Sequence, residues 1–346
     1  MTTGMRKLVE ELCSPACAGR KPGTKGGDAA RAAVVSALRQ AGLDPHEQPV
    51  PGLRGANVIA VLPGDIERYV LVGAHFDHLG ELAGKVYWGA DDNAAAVGIL
   101  LEVARALAAK RPAGRGVILA AFDGEEPPHF TQNTMGSVFF AKHPPVPLDR
   151  IDMMIAMDLV GHTFGPAGVP DEVGASLFAL GAERSEGTAA HVDTIATSEP
   201  GVRIRRADAE IIPPLSDYLA FWQRSVPFLF LTSGRSRHYH MPTDTVDKLD
   251  WPKMIATARW LERFVRETCA RPPGPIPFLR HGRDDAATLR SLVTITTALE
   301  PVSAEASGAR EIAEELLAQC DERGALPEPL RSHASMLVGM LESKLA

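Results

Sequence analysis

Five short polar clusters punctuate an otherwise apolar stretch, and their side chains are of the kind that hold metal ions. In the first, the apolar run Val70-Leu-Val-Gly-Ala ends in His75-Phe-Asp77-His78. A histidine followed at two residues by aspartate suits a metal ligand backed by a carboxylate that orients the ring. The second is Gly89-Ala-Asp91-Asp92-Asn93, at the start of a long alanine-rich segment. One acidic residue there would serve as a helix N-cap; the second is surplus to that role. The third, Asp123-Gly-Glu125-Glu126, sets three carboxylates within four residues directly after an apolar run, a crowding that is unfavourable unless a cation neutralises it or one member keeps its proton. Asp158 ends another apolar run, and Tyr239-His240 lies in a histidine-rich loop. Two imidazoles and three carboxylates, from His75, Asp92, Glu126, Asp158 and His240, form a nitrogen and oxygen ligand field suited to zinc, and less specifically to manganese or cobalt. Five ligands exceed the need of one tetrahedral zinc but fit two metals if a carboxylate bridges them, which predicts a binuclear hydrolytic site.

The elements that must position these residues alternate. Helical periodicity covers residues 28–42, 93–110, 135–142, 217–224 and 251–269, with a further helical reading over 171–186. Apolar, β-rich runs at 57–62, 69–74, 116–122, 152–159 and 226–231 read as strands. The alternation predicts a layered α/β domain with a sheet buried on both faces. Four clusters follow predicted strands and one opens a helix, and the crevice at the carboxyl ends of strands is where open α/β sheets bind ligands. Four prolines within residues 271–277 break the pattern. The expected organisation is a catalytic domain over 1–270, a Pro-rich linker over 271–283 and a helical extension over 284–346.

The 346 residues carry a formal charge of −7, the opposite of what a general nucleic-acid surface needs, so neither DNA nor RNA is expected as a partner. Four cysteines are too few for a disulfide scaffold, and the Cys13/Cys17 pair has no second pair to complete a zinc site. No apolar run of signal-peptide length precedes Glu10 and Glu11, and none reaches the roughly 20 residues of a membrane span. The expectation is a cytoplasmic protein without a membrane partner, unless a leader has been trimmed.

These motifs together resemble the di-zinc exopeptidases of metallopeptidase family twenty-eight, which include bacterial leucyl aminopeptidases. The resemblance runs from Ala-Gly-Arg-Lys-Pro-Gly-Thr at 18–24 through Gly89-Ala-Asp-Asp-Asn93, Asp123-Gly-Glu-Glu126 and Met157-Asp-Leu-Val-Gly161 to Tyr239-His-Met-Pro-Thr-Asp244; the tail after residue 277 lies outside it. It implies a three-layer mixed sheet with helices on both faces, the zinc exopeptidase fold. It further implies two zinc ions bridged by Asp92, with His75 and Asp158 completing one site and Glu126 and His240 the other. Glu125 would be the general base toward a metal-bound water, Asp77 the carboxylate behind His75, and Tyr239 a hydrogen-bond donor to the oxyanion. Asp91 would support Asp92. The implied substrate is a peptide or small aminoacyl compound.

Two departures bear on specificity. Glu126 is followed by a long loop, 127–135, in which His129 or Phe130 is placed to shape the substrate pocket, and the family's Ser-Asp-His stands here as Ser216-Asp217-Tyr218. Beside aminopeptidase activity, a glutaminyl-cyclase-like transferase or another amide hydrolase on the same fold stays open. So does a non-catalytic peptide-binding relative, which the retention of all five ligands disfavours. Oligomeric state and the role of the terminal helices are not legible.

Overall fold

A computed structural model describes residues 3–345. Its strands are β1 (His46–Val50), β2 (Gly55–Leu62), β3 (Ile66–His75), β4 (Gly80–Leu82), β5 (Lys85–Tyr87), β6 (Arg115–Phe122), β7 (Ile151–Met157), β8 (Ser176–Leu180), β9 (Arg203–Ala207) and β10 (Phe228–Thr232). Eight of them form one sheet in the order β1-β2-β6-β3-β7-β10-β8-β9, and β4 pairs with β5. The four central strands β6, β3, β7 and β10 run parallel. Every residue of β6, β7 and β10 is buried, which is why they read as continuous apolar runs rather than alternating ones. From β3 the chain crosses to β6 on one side and later to β7 on the other. Their carboxyl ends therefore share one edge, with the reversal of strand order at β3.

Helices cover both faces, as an α/β layer architecture requires. On one side lie α1 (Thr3–Leu12), α2 (Lys25–Gln40), α3 (Ala95–Ala109) and α8 (Trp251–Cys269), which contribute Met5, Leu38, Leu100 and Trp260 to its core. On the other, α4 (Gly136–Lys142), α7 (Leu219–Trp222), α9 (Asp285–Leu299), α10 (Ala306–Leu317) and α11 (Glu328–Leu345) contribute Phe140, Phe221, Leu292, Leu316 and Leu337. The short helices α5 (Asp171–Gly174) and α6 (Thr188–Ile195) flank β8.

Two arginines fasten the later part of the chain. Arg115, buried at the start of β6, ion-pairs with Asp152 at 2.5 Å and donates to the carbonyls of Arg271, Pro272 and Gly274. It thus holds the proline-rich segment against the sheet. Arg331 on α11 bridges Asp208 (3.3 Å), Glu210 (2.8 Å) and Asp285 (3.2 Å), tying α11 and α9 to the segment after β9.

The predicted layered α/β class holds, and so does each predicted strand. The helical reading of 171–186 is corrected: only the short helix α5 and a 3-10 turn at Ala182–Arg184 are helical, and Ser176–Leu180 is a strand paired with β10 on one side and β9 on the other. The four apolar residues Leu177-Phe-Ala-Leu180 satisfy either period, and pairing at the sheet edge decided between them. The strands β1, β4, β5 and β9 and the helices α1 and α6 went unread; β1 (His-Glu-Gln-Pro-Val) and β9 (Arg-Ile-Arg-Arg-Ala) are mostly polar and give no apolar run. The helix predicted from residue 93 begins at Ala95, after an irregular turn at Ala90–Ala94 in which neither Asp91 nor Asp92 caps it.

Candidate active site

Each expected ligand emerges at the carboxyl edge of the parallel strands. His75 is the last residue of β3, Glu125 and Glu126 follow β6, Asp158 follows β7, and His240 lies in the loop after β10. Asp92 is supplied by the Ala90–Ala94 turn. That turn opens on Gly89, in the left-handed region at φ 57°, where a Cβ would come within 2.2 Å of the Asp92 carbonyl and 2.5 Å of the His78 ring. Only glycine allows so close an approach.

The side chains converge in two groups that share Asp92. In the first, His75 Nε2 lies 3.5 Å from Asp92 Oδ1 and 3.5 Å from Asp158 Oδ1. In the second, His240 Nε2 lies 3.2 Å from Asp92 Oδ2 and 3.1 Å from Glu126 Oε2. Asp92 therefore turns one carboxylate oxygen to each group. Donors about 2.1 Å from a tetrahedral zinc stand about 3.4 Å apart, which matches these separations. His75 Nε2 and Asp158 Oδ1 are buried without a hydrogen-bond partner among the described residues, a costly condition that a cation between them would relieve. The donor set fits divalent metals.

His78, outside the expected set, joins the second group. It is fully buried, with Nδ1 2.7 Å from Glu126 Oε1 and 3.9 Å from Asp92 Oδ2. Its position three residues after His75 carried a signal, but the turn that sends it toward Glu126 rather than His75 did not show in spacing.

A surrounding layer fixes the ligands. Asp77 Oδ1 lies 3.6 Å from His75 Nδ1, and its carboxylate accepts the amides of Glu125 (3.0 Å) and Glu126 (3.2 Å). His75 Nδ1 bonds the Asp77 main-chain carbonyl at 3.3 Å, so this one residue aligns the histidine and both glutamates. Asp91 accepts the Gly161 amide and pairs with His162, each at 2.7 Å. Asp244 accepts the amides of Asp91 and Asp92. Arg20 is buried, with no acidic partner in hydrogen-bond range among the described residues, and donates to the carbonyls of Phe76 (2.7 Å), Trp88 (2.5 Å), Gly89 (2.9 Å) and Asp92 (3.3 Å). Asp217 is buried with both oxygens unpartnered among the described residues, and burial lifts its pKa to about 7. Arg20, Asp217 and Asp244 all lie within quoted motifs, but nothing in their spacing marked them as supports.

The electrostatics follow from crowding. Burial, reinforced by Glu126, raises Asp92 to about 6. Burial raises Glu125 well above the usual carboxylate range, and the opposing pull of His75 does not cancel it. Burial opposes a charged His240, yet the Asp92 and Glu126 carboxylates outweigh it and lift its pKa to about 10. Carboxylates and imidazoles packed this closely make a setting in which bound cations would be the largest local charges.

The cluster opens into a cavity of about 370 Å³ whose lining includes Glu125, Asp158, Tyr239, Phe130, Leu215 and Phe230. Tyr239 stacks on His240 with ring centroids 4.0 Å apart. Phe130 faces this cavity, whereas His129 bonds Thr134 within its own loop. A larger cavity of about 1200 Å³ between α10 and α11 is predominantly apolar and lies away from every polar cluster described above.

Residues 57–265 match the model of peptidase family M28. The Escherichia coli protein YfbL, itself uncharacterised, is 29% identical over 231 residues, spanning 60% of this chain and 70% of the relative. A glutaminyl-peptide cyclotransferase from Boiga irregularis is 26% identical over 303 residues, spanning 77% and 82%. Among solved structures, the LapA aminopeptidase of Legionella pneumophila superposes with a TM-score of 0.65 at 14% identity, covering 79% of this chain and 73% of its own.

Proposed function

Because the chain belongs to peptidase family M28, we propose that its two-group cluster is a binuclear zinc centre and that the protein is an aminopeptidase, removing N-terminal residues from peptides or small aminoacyl compounds. The observation that carries this reading is Asp92, which offers one carboxylate oxygen to each donor group. His75 and Asp158 would hold one ion and Glu126 and His240 the other, with His78 beside the second. Bound there, two zinc ions lower the pKa of water and polarise a carbonyl.

The chain's own residues supply the rest. Glu125, buried beside the ligands and 3.8 Å from His75, takes the proton from the attacking water and delivers it to the leaving amine nitrogen. Asp77, through the two amides it accepts, keeps Glu125 and Glu126 in a fixed relation. Tyr239 borders the cavity, where its hydroxyl donates to the developing oxyanion. Four free cysteines accord with a reducing, cytoplasmic setting. Among the described residues no helix is long and apolar enough to cross a membrane.

The test is release of an amino acid from an aminoacyl reporter, abolished by a chelator and restored by zinc. Glu125→Gln should lower kcat by about 10²–10⁴ while zinc content stays at the wild-type level. Full activity in that variant would overturn the assigned mechanism. The similarity to glutaminyl-peptide cyclotransferases supports a second reading: a single tightly bound zinc, with ammonia released from an N-terminal glutamine peptide, would favour it.

A further inference from the structure

The terminal helices lie beyond the residues matched to the family, yet the last of them reaches the active-site cavity. Ser335, Val338, Gly339 and Glu342 follow the i, i+3, i+4, i+7 spacing of one helix face, and all four line the cavity that contains Glu125, Glu126 and Asp158. The same helix buries Ala334 and Leu337 in the core of the sheet, so this face is anchored from behind. At its far end Glu342 meets Arg235 through both oxygens: Arg235 Nε donates to Oε1 at 3.0 Å and Nη2 to Oε2 at 3.1 Å. Arg235 belongs to the loop that carries Tyr239 and His240. An exposed pair adds little stability, but this two-point geometry sets the separation between α11 and that loop.

Gly339 is the informative residue. Glycine is among the poorest helix formers, and Gly339 sits in the interior of α11. No packing requirement accounts for it, because a Cβ at this position would meet no atom within 4 Å. What the missing side chain leaves is room in the cavity. At about 370 Å³ that cavity is near the small end of the roughly 300–1,000 Å³ typical of small-ligand sites, and Leu215, Phe230 and Val338 make part of its lining apolar.

We propose that α11 is the specificity wall of the active site. The wall limits the size of the substrate side chain that the cavity accepts, and the absence of a side chain at Gly339 sets its width. The assignment rests on the aminopeptidase reading for the identity of the substrate, not for the existence of the wall.

The experiment uses the full-length, zinc-loaded protein and the variants Gly339→Ala, Gly339→Leu and Gly339→Phe. Leucyl and alanyl reporters give the kcat/KM ratio, calorimetry gives the affinities of leucine hydroxamate and glycine hydroxamate, and zinc content and thermal melting report on integrity. The leucyl-to-alanyl ratio should fall progressively with side-chain size, by about tenfold or more in Gly339→Phe. Leucine hydroxamate should weaken more than glycine hydroxamate, zinc content should match wild type, and Gly339→Ala should melt at a higher temperature. Wild-type ratios and hydroxamate preferences in folded Gly339→Leu would overturn the proposal, whether or not Gly339→Phe folds. If the wild type cleaves neither reporter but its preference for leucine hydroxamate collapses in Gly339→Leu, the aminopeptidase reading fails and the wall stands.

Discussion

Replacing Arg20 by methionine removes a guanidinium that touches no substrate yet holds the turn presenting Asp92. The carbonyls of Phe76 and Trp88, outside any strand or helix, receive hydrogen bonds from Arg20 at 2.7 and 2.5 Å, and those of Gly89 and Asp92 at 2.9 and 3.3 Å. Two carbonyls left without a donor cost about 1–3 kcal/mol each, roughly 2–6 kcal/mol together. Against this, methionine spares the protein the desolvation of a buried charge, which returns part of the loss. The net expectation is a destabilisation of about 2–4 kcal/mol, or a fall of about 1 M in the urea midpoint for a slope near 3 kcal/mol per M. The second expectation separates this positioning role from a merely structural one. Zinc affinity, measured by competition with a chromophoric chelator on folded protein, should fall about 10–100-fold, as for other groups that orient metal ligands. Arg20→Lys, which keeps the charge but not the planar five-donor fork, should lie between. A methionine variant that unfolds at the wild-type urea concentration and binds zinc with wild-type affinity would refute the reasoning.

Two other perturbations address groups away from the active site. Glu183, buried just after β8, accepts the Ala209 amide at 3.0 Å, and burial, helped by Asp208, raises its pKa from 4.5 to about 8. A carboxyl whose folded pKa lies above its unfolded value contributes stability that is complete below about pH 4.5 and lost as pH rises toward 8. Glu183→Gln should therefore flatten the decline of metal-free stability across that window, by on the order of 1 kcal/mol per pH unit; denaturation series at pH 5 and 8 that stay parallel to wild type would contradict it. Arg331→Met removes the cation that bridges the buried Asp208 and Asp285; Asp285 keeps Arg283 at 2.8 Å, whereas Asp208 loses its arginine. It should cost about 3 kcal/mol and expose α11 to limited proteolysis before the sheet is cut, an order that mass spectrometry of the fragments would reveal.

The central strands were legible because burial on both faces leaves an uninterrupted apolar signal. The expected ligands His75, Glu126 and Asp158 stood out because a polar side chain just after such a strand is expensive to bury unless an ion or a partner meets it. Asp92 stood out as the second of two adjacent carboxylates at a helix start and His240 by its histidine-rich loop, and the fold brings all five side chains together. His78 was not found because its partner, Glu126, is 48 residues away and only the folded turn brings the two to 2.7 Å. Ser176–Leu180 was misread because its four apolar residues, Leu177 to Leu180, carry no period of their own. Arg20 and Asp244 act on backbone amides and carbonyls, and a sequence gives no sign of which backbone groups a side chain will meet. The reach of α11 into the cavity depends on packing across the whole sheet face, beyond any local pattern.

The strand order has a consequence for how the protein is made. The groups around the cavity come from β3, β6, β7, β10 and α11, so they leave the ribosome over an interval that runs from His75 to Glu342. A nascent chain stopped anywhere before His240 lacks a donor of the second group, and one stopped before α11 has an unwalled cleft. Since metal affinity is coupled to the fold that gathers the ligands, the proposed metal centre would form only after residue 240 has been made.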